Sequence, residues 1–287
     1  MEINDLIIFE AVARHGSVSK AAEQLSYVQS NVTGRIKRLE QELQTTLFER
    51  HQRGMVLNTD GKRLLEHARD ILHKVDEVKQ MFAPQHAPSG ILDIGIIETV
   101  IALPGILHAY YSKYPNVELS LTTGVTEQLL QDVLAMKLDG AFVSGPITHP
   151  LIEQMDVIQE RLMLVTRDRQ FAYEDLTRKP LLLYNEGCGY RGRLESWMSV
   201  EGIVPKQIME FGTFGTIIGS VAAGIGITIL PESSITQYVA EEQVYAHEIP
   251  DPFQAVSTVF IRRKEAYVTN TLQTFIDEID RAANVIV

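Results

Sequence analysis

Residues 84–90 read Pro-Gln-His-Ala-Pro-Ser-Gly, and no other stretch constrains the fold of this 287-residue chain as strongly. Two prolines lack the N–H that helix or sheet needs, and the glycine and small polar residues around them favour turns, so regular structure cannot run through. The chain therefore reads as two independently folding units joined by a hinge. Their periodicities differ. Before the hinge, apolar residues recur at helical spacing; after it, short apolar runs alternate with helical stretches. Their charges differ as well. The whole chain carries a net −11, which argues against a polyanionic partner because an acidic surface repels phosphate. Residues 1–83, however, hold 12 basic and 12 acidic side chains, while residues 84–287 hold 14 and 25. The objection thus applies to the second unit alone. Within residues 29–63, seven basic residues (Arg35, Lys37, Arg38, Arg50, Arg53, Lys62, Arg63) face four acidic ones. An excess of this size is commonly a solvated face unless the fold turns it towards phosphate.

The single cysteine, Cys188, excludes an internal disulfide and a cysteine zinc site. No His/Asp/Glu cluster has metal-ligand spacing, and neither a Gly-x-Ser-x-Gly elbow nor a phosphate loop is present, so no metal, cofactor or catalytic residue is expected. The start, Met-Glu-Ile-Asn-Asp, has no basic stretch leading into an apolar run, and no segment approaches the roughly 18 apolar residues of a membrane span. A cytoplasmic protein without a membrane partner is expected.

In the first unit, Leu6, Phe9, Val12 and Ala13 predict a helix that stops at His15-Gly16, where glycine supplies a left-handed cap. Ser17 is the N-cap of a short second helix carrying Lys20, Ala21, Ala22 and Leu25 and ending near Ser26-Tyr27. A third helix starts at about Gln29 with Val32, Ile36, Leu39 and Leu43 inward. Gln29, Ser30, Asn31, Thr33, Arg35, Lys37 and Arg38 remain on its other faces. Two short helices with a small alanine at their crossing meet the packing needs of a helix-turn-helix, and the polar set can reach base edges and phosphates. A plain three-helix bundle with a solvated face fits the same residues, and they leave both readings open. After Leu47-Phe48, residues 49–58 predict a two-stranded wing turning at Arg53-Gly54, which would bring Arg50 and Arg53 near phosphate.

The run Gly16-Ser-Val-Ser-Lys-Ala-Ala-Glu-Gln-Leu25, then Gln29-Ser-Asn-Val-Thr33 before Ile36 and Leu39-Glu40, then Leu47-Phe-Glu-Arg50 with Arg53, Leu57 and Gly61, resembles the LysR-type transcriptional regulators in order and spacing. The resemblance implies an all-α winged helix-turn-helix over residues 1–60 that binds double-stranded DNA through Gln29, Ser30, Asn31, Thr33, Arg35, Lys37, Arg38, Arg50 and Arg53. Asn31 stands where the family often has Ala, Thr33 where Ser is usual, and Asn58-Thr59-Asp60 where Thr-Pro-Ala is common. These departures bear on the operator sequence; Asn31 adds an amide that can bond adenine.

Over residues 61–83, Leu64, Ala68, Ile71, Val75, Val78 and Phe82 repeat every 3.5 residues among polar neighbours, the pattern of a seam on a long linker helix. Packing on the first helix would satisfy it. The resemblance implies instead pairing with a second copy, in a homodimer or homotetramer, and hence a roughly palindromic operator.

Beyond the hinge, strands near 91–97, 117–121, 141–143, 162–165, 180–184, 207–211, 225–230 and 257–261 alternate with helices near 103–111, 129–136, 191–198, 216–223 and 269–279. Such alternation predicts α/β lobes with a parallel sheet covered by helices on both faces. The resemblance implies a two-lobed, periplasmic-binding-protein-like effector domain over residues 91–287. Ligands in α/β lobes sit beyond the carboxyl ends of strands, at helix N-termini. That rule selects Glu98 and Thr99, Thr123, Ser144, then Cys188, Tyr190 and Arg191, then Thr213 and Phe214. Hydroxyls, amides and one guanidinium suit a small anion; Glu98 would repel it unless the effector is amino-acid-like. Competing roles are clear. Thr99, Thr123 and Thr213 can cap helices, Arg191 can pair with Glu195 one turn on, and the glycines of Ala223-Gly-Ile-Gly-Ile227 make a poor dinucleotide loop because no helix opens after them. Cys188 fits a pocket wall, or a thiol redox sensor, although such sensors use cysteine pairs. The expected function is a DNA-binding regulator modulated by a small molecule. A redox-sensing regulator, a cytosolic solute-binding protein and an enzyme are the alternatives.

Overall fold

Gly16, at φ 59° and ψ 16°, ends α1 (Ile3–His15) in the left-handed conformation that glycine adopts without strain. The computed structural model describes residues 1–51, 54–82 and 87–286, and its contacts divide the chain into units spanning Met1–His86 and Ala87–Val287. In the first unit, Ser17 accepts the Lys20 N–H and starts α2 (Val18–Gln24). Ala21 and Ala22 on α2 share a core with Val32, Ile36 and Leu39 of α3 (Gln29–Leu43). Leu43 departs from expectation: it is exposed, and Leu47, just past the helix, is buried in the core in its place. The wing is present. β1 (Phe48–His51) and β2 (Gly54–Leu57) pair antiparallel from Phe48 opposite Leu57 to His51 opposite Gly54. Arg53 lies outside the described residues.

Asn58 holds the start of α4 (Thr59–Phe82). Its Oδ1 accepts the Gly61 N–H at 2.8 Å and its Nδ2 donates to the Thr46 carbonyl at 2.7 Å. The 3.5-residue stripe splits along this helix. Ala68 is buried in the core of the unit, and Leu64 packs on it with Leu65 and Leu72. Ile71 and Val78, 39% and 54% exposed, line an open groove with Val75 and Ile3.

The second unit runs β3 (Gly90–Ile96), α5 (Leu103–Lys113), β4 (Val117–Thr123), α6 (Thr126–Leu134), β5 (Gly140–Gly145), β6 (Ile152–Thr166), α7 (Asp175–Arg178), β7 (Leu181–Tyr184), α8 (Gly189–Glu201), β8 (Ile208–Phe211), α9 (Phe214–Ala222), β9 (Thr228–Pro231), α10 (Glu232–Ala240), β10 (Tyr245–Glu248), β11 (Ala255–Arg263) and α11 (Asn270–Ile286). The first lobe is built on β4-β3-β5 in parallel, with β11 antiparallel to β5. The sheet is therefore mixed rather than all parallel. The reason lies in β6: residues 152–161 pair with β11, and residues 162–166 continue into the second lobe between β9 and β10. The chain leaves the first lobe along β6 and returns along β11, and a returning strand beside an outgoing one must run antiparallel. The first half of β6 is largely solvent-facing, so it shows no apolar run, and the sequence reading found only its buried end; α10 and β10 also went unread. In the second lobe β7 and β8 are parallel, and Pro180 and Leu182 bond Ile227 at 2.9 and 2.8 Å just before β9. A Cβ on Gly226 would lie 2.3 Å from the Pro180 carbonyl, so this glycine serves a close backbone approach, not a nucleotide.

Asp139, on the turn into β5, donates its N–H to the Asp93 carbonyl at 2.8 Å and accepts the Asp93 N–H at 2.9 Å. Burial, with the Asp93 charge adding to it, pushes its carboxyl up to about 6. The folded state thus binds this proton more tightly than the unfolded chain, so the contribution of Asp139 to stability declines as pH rises from about 4 through 6. Asp139→Asn is expected to gain up to about 3 kcal/mol over the parent at pH 7.5 and only about 1 kcal/mol at pH 4.5. Circular-dichroism melts at the two pH values check this; an equal gain at both would show that the carboxyl ionises normally.

Candidate functional site

α3 presents Gln29, Ser30, Asn31, Lys37 and Arg38 as exposed residues, with Thr33 half-buried. Gln29 donates to the Ser19 hydroxyl at 2.7 Å and ties the helix start to α2. Lys37 and Arg38 make no ion pair with any described residue. Arg35 behaves otherwise, being held by carboxylates of its own unit. Its Nη1 donates to Glu2 Oε2 at 2.6 Å and to Asp5 Oδ1 at 2.8 Å. Asp5 is 2% exposed, and its other oxygen accepts the Glu2 N–H at 2.8 Å. Burial pushes the Asp5 carboxyl up, but the Glu2 N–H and the Arg35 guanidinium outweigh it and hold it below the ordinary range. Arg35 thus clamps α3 to the start of α1, and a base contact would have to draw it off two carboxylates. Of the wing arginines, Arg50 lies on β1, but its side chain, like Arg53, falls outside what the structure describes.

In the second unit the strand ends converge, as expected, on a cavity of about 350 Å³ between the lobes. Ile97, Glu98 and Thr99 after β3, residues 123–126 and Gln128 after β4, and Ser144 on β5 form one wall. Tyr184, Asn185, residues 188–190 and Gly212 form the other. Six expected residues are here: Glu98, Thr99, Thr123, Ser144, Cys188 and Tyr190. Arg191, Thr213 and Phe214 do not line it. The Arg191 guanidinium is engaged by Glu195 at 2.7 Å, Glu210 at 2.6 Å and the Tyr184 carbonyl at 3.1 Å; these bonds hold it as a strut of the second lobe. Thr213 caps α9 by accepting the Thr216 N–H. The Phe214 ring packs edge-on against Tyr238, and its N–H donates to the Glu98 carboxylate.

Bonds between the lobes tie the two walls together. The Thr99 and Tyr190 hydroxyls meet at 2.7 Å, and the Glu127 N–H donates to the Gly187 carbonyl at 3.1 Å. At Gly189 the walls approach so closely that a Cβ would lie 2.7 Å from that of Ser144. Tyr184, which sequence reasoning missed, has a buried hydroxyl with no partner among the described residues. Burial, reinforced by the nearby Glu98 charge, raises its pKa and keeps the phenol protonated. Its position at the carboxyl end of β7 was the available signal, masked by the apolar run Leu181-Leu-Leu183 before it. Burial also pushes the Cys188 thiol up, against the N–H groups and charge of Arg191. A thiol kept protonated is a poor redox sensor.

Residues 3–62 match the family model of the bacterial regulatory helix-turn-helix proteins of the lysR family, and residues 85–284 match that of the LysR substrate binding domain. The chain belongs to the LysR family of transcriptional regulators. The HTH-type transcriptional regulator CzcR of Bacillus anthracis is 54% identical over 280 residues, covering 98% of this chain and 97% of that protein. The HTH-type transcriptional regulator SoxR of Arthrobacter sp. (strain TE1826) is 52% identical over 282 residues, 98% of each. Full-length CbnR in complex with its target DNA is similar in structure, with a TM-score of 0.64 at 25% identity over 98% of this chain and 100% of that one. The winged helix-turn-helix, the linker helix and the two-lobed effector domain are those of this LysR regulator's family, and the family and these relatives are regulators rather than enzymes. No helix among its described residues is long and apolar enough to cross a membrane.

Proposed function

We propose that this regulator acts in the cytoplasm and binds a roughly palindromic operator as a homodimer, or as a homotetramer built from it. Residues 1–60 read the DNA, residues 61–83 pair two copies, residues 84–90 form the hinge, and residues 91–287 hold a small effector between the lobes. The observation that carries the effector reading is the inter-lobe cavity with its Tyr184 hydroxyl, which has no partner among the described residues. A buried hydroxyl without a partner costs about 1–3 kcal/mol, which a bound polar molecule would recover. The stripe of exposed Ile71 and Val78 with half-buried Val75 supports pairing, since an apolar groove on a helix is stabilised by a second copy. Asn31, Ser30 and Gln29 at the start of α3 suit base edges; Lys37 and Arg38 suit phosphate.

A mobility shift with the DNA upstream of the gene tests the reading. The full chain should bind this DNA at least about a thousandfold more tightly than unrelated DNA. The double variant Lys37→Ala, Arg38→Ala should make the salt dependence shallower by about 2 to 4 in log–log slope, the range for two to four lost phosphate contacts per dimer. Equal binding to both DNAs would overturn it.

A further inference from the structure

Resting on the reading that the cavity is the effector site, we infer that it takes a small molecule bearing a protonated amine, with Glu98 as counter-ion and the Tyr184 hydroxyl as a second partner. The charge inventory of the walls points this way. Among the described residues, Glu98 is the one charged side chain that lines the cavity, and no Lys, Arg or His does. The guanidinium that would favour an anion, Arg191, lies outside and is held by Glu195 and Glu210. A monocarboxylate entering the cavity would meet a like charge without compensation, whereas an ammonium would meet its complement. The hydroxyls narrow the choice further. Thr99 and Tyr190 bond each other, which leaves the Tyr184 oxygen as the buried hydroxyl in want of a partner. An ammonium offers three N–H donors, enough for Glu98 and Tyr184 together, and the two groups are close enough for the Glu98 charge to act on the phenol.

Glu98 is also the link to a response. Its Oε2 accepts the Phe214 N–H at the start of α9, across the lobes, while Oε1 accepts from no described residue. An ammonium on Oε1 would add to this bond rather than replace it, and so favour the closed arrangement of the lobes. The N-terminus of α8 on the wall opposite Glu98 suits a carbonyl or carboxylate at the other end of the ligand, so a plain amine and an amino acid are both within the inference.

Size-matched triads test it: for two to six carbons, the alkylamine, the α-amino acid and the carboxylate, each titrated into the full-length chain by calorimetry with thermal midpoints in parallel. Amine-bearing probes should saturate a site and raise the midpoint, while carboxylates of equal length do neither. Glu98→Gln should weaken amine binding by about tenfold or more, and Tyr184→Phe by about three- to tenfold, with unliganded midpoints near the parent's. Binding of carboxylates that Glu98→Gln tightens, or no binding by any amine-bearing probe, would overturn the inference. The underlying reading fails differently: probes would bind, but with affinities that Glu98→Gln, Tyr184→Phe and the cavity-filling Gly189→Leu all leave unchanged. If Glu98→Gln does not fold, Tyr184→Phe alone decides.

Discussion

Gly61→Ala is expected to abolish operator binding while leaving the melting of the second unit unchanged. A Cβ at this position would lie 2.1 Å from the Leu47 carbonyl oxygen and 2.9 Å from Leu57 Cδ2. The side chain could turn aside, but the carbonyl cannot. The Leu47 oxygen accepts the Asn58 N–H at 3.1 Å, Asn58 in turn accepts the Gly61 N–H at 2.8 Å, and Leu47 is buried in the core of the unit. Moving α4 away from the base of the wing therefore breaks the cap of the helix as well as the packing beneath it. Overpacking alone costs about 1–3 kcal/mol, and loss of an Asn cap adds about 1. A unit of this size has only about 5 kcal/mol or little more in reserve. Calorimetry of the full chain should show the first unit melting early and the second as in the parent, and mobility shifts should show no complex. Binding at parental affinity would mean that the wing and α4 can separate cheaply.

The second large effect separates two residues of α3. Asn31→Ala should cost about 1–3 kcal/mol on the operator, as loss of a good base contact does, and almost nothing on unrelated DNA or on the melting temperature. Arg35→Ala should weaken both kinds of binding and lower the midpoint, because it leaves the buried Asp5 carboxylate with the Glu2 N–H alone. Asp5→Ala should reproduce that loss. The two changes break the same clamp, so Arg35→Ala with Asp5→Ala should cost clearly less than their sum. If Asp5→Ala binds normally while Arg35→Ala loses discrimination between operators, Arg35 reads a base after all.

The contrast between Asn31 and Arg35 also marks how far the residues can be read without coordinates. Both lie off the apolar face of a helix defined by Val32, Ile36 and Leu39, and periodicity assigns both to the outside. Asn31 stays there. Arg35 is drawn to carboxylates 30 and 33 positions away, and no local pattern encodes that meeting. Leu43 fails for a related reason: it keeps the helical period, but Leu47 takes its place in the core. In the second unit the strand-end rule found six residues of the cavity, since β3, β4, β5 and β7 all end there. It passed over Tyr184, hidden at the end of an apolar run, and it selected Arg191, whose partner Glu195 was foreseeable at four residues but Glu210 was not.

The division into two units, the helix caps at Gly16 and Ser17, the helix-turn-helix and the alternation of strand and helix follow from neighbouring residues, because steric limits on the backbone and the burial of periodic faces act over a few positions. The direction of β11, the division of the α4 stripe between core and solvent, and the cross-lobe bond from Glu98 to Phe214, 116 positions apart, required the folded chain. Charge and hydrogen bonding pair whatever the fold brings within about 3 Å, and that proximity is a property of the packed lobes rather than of any segment within them.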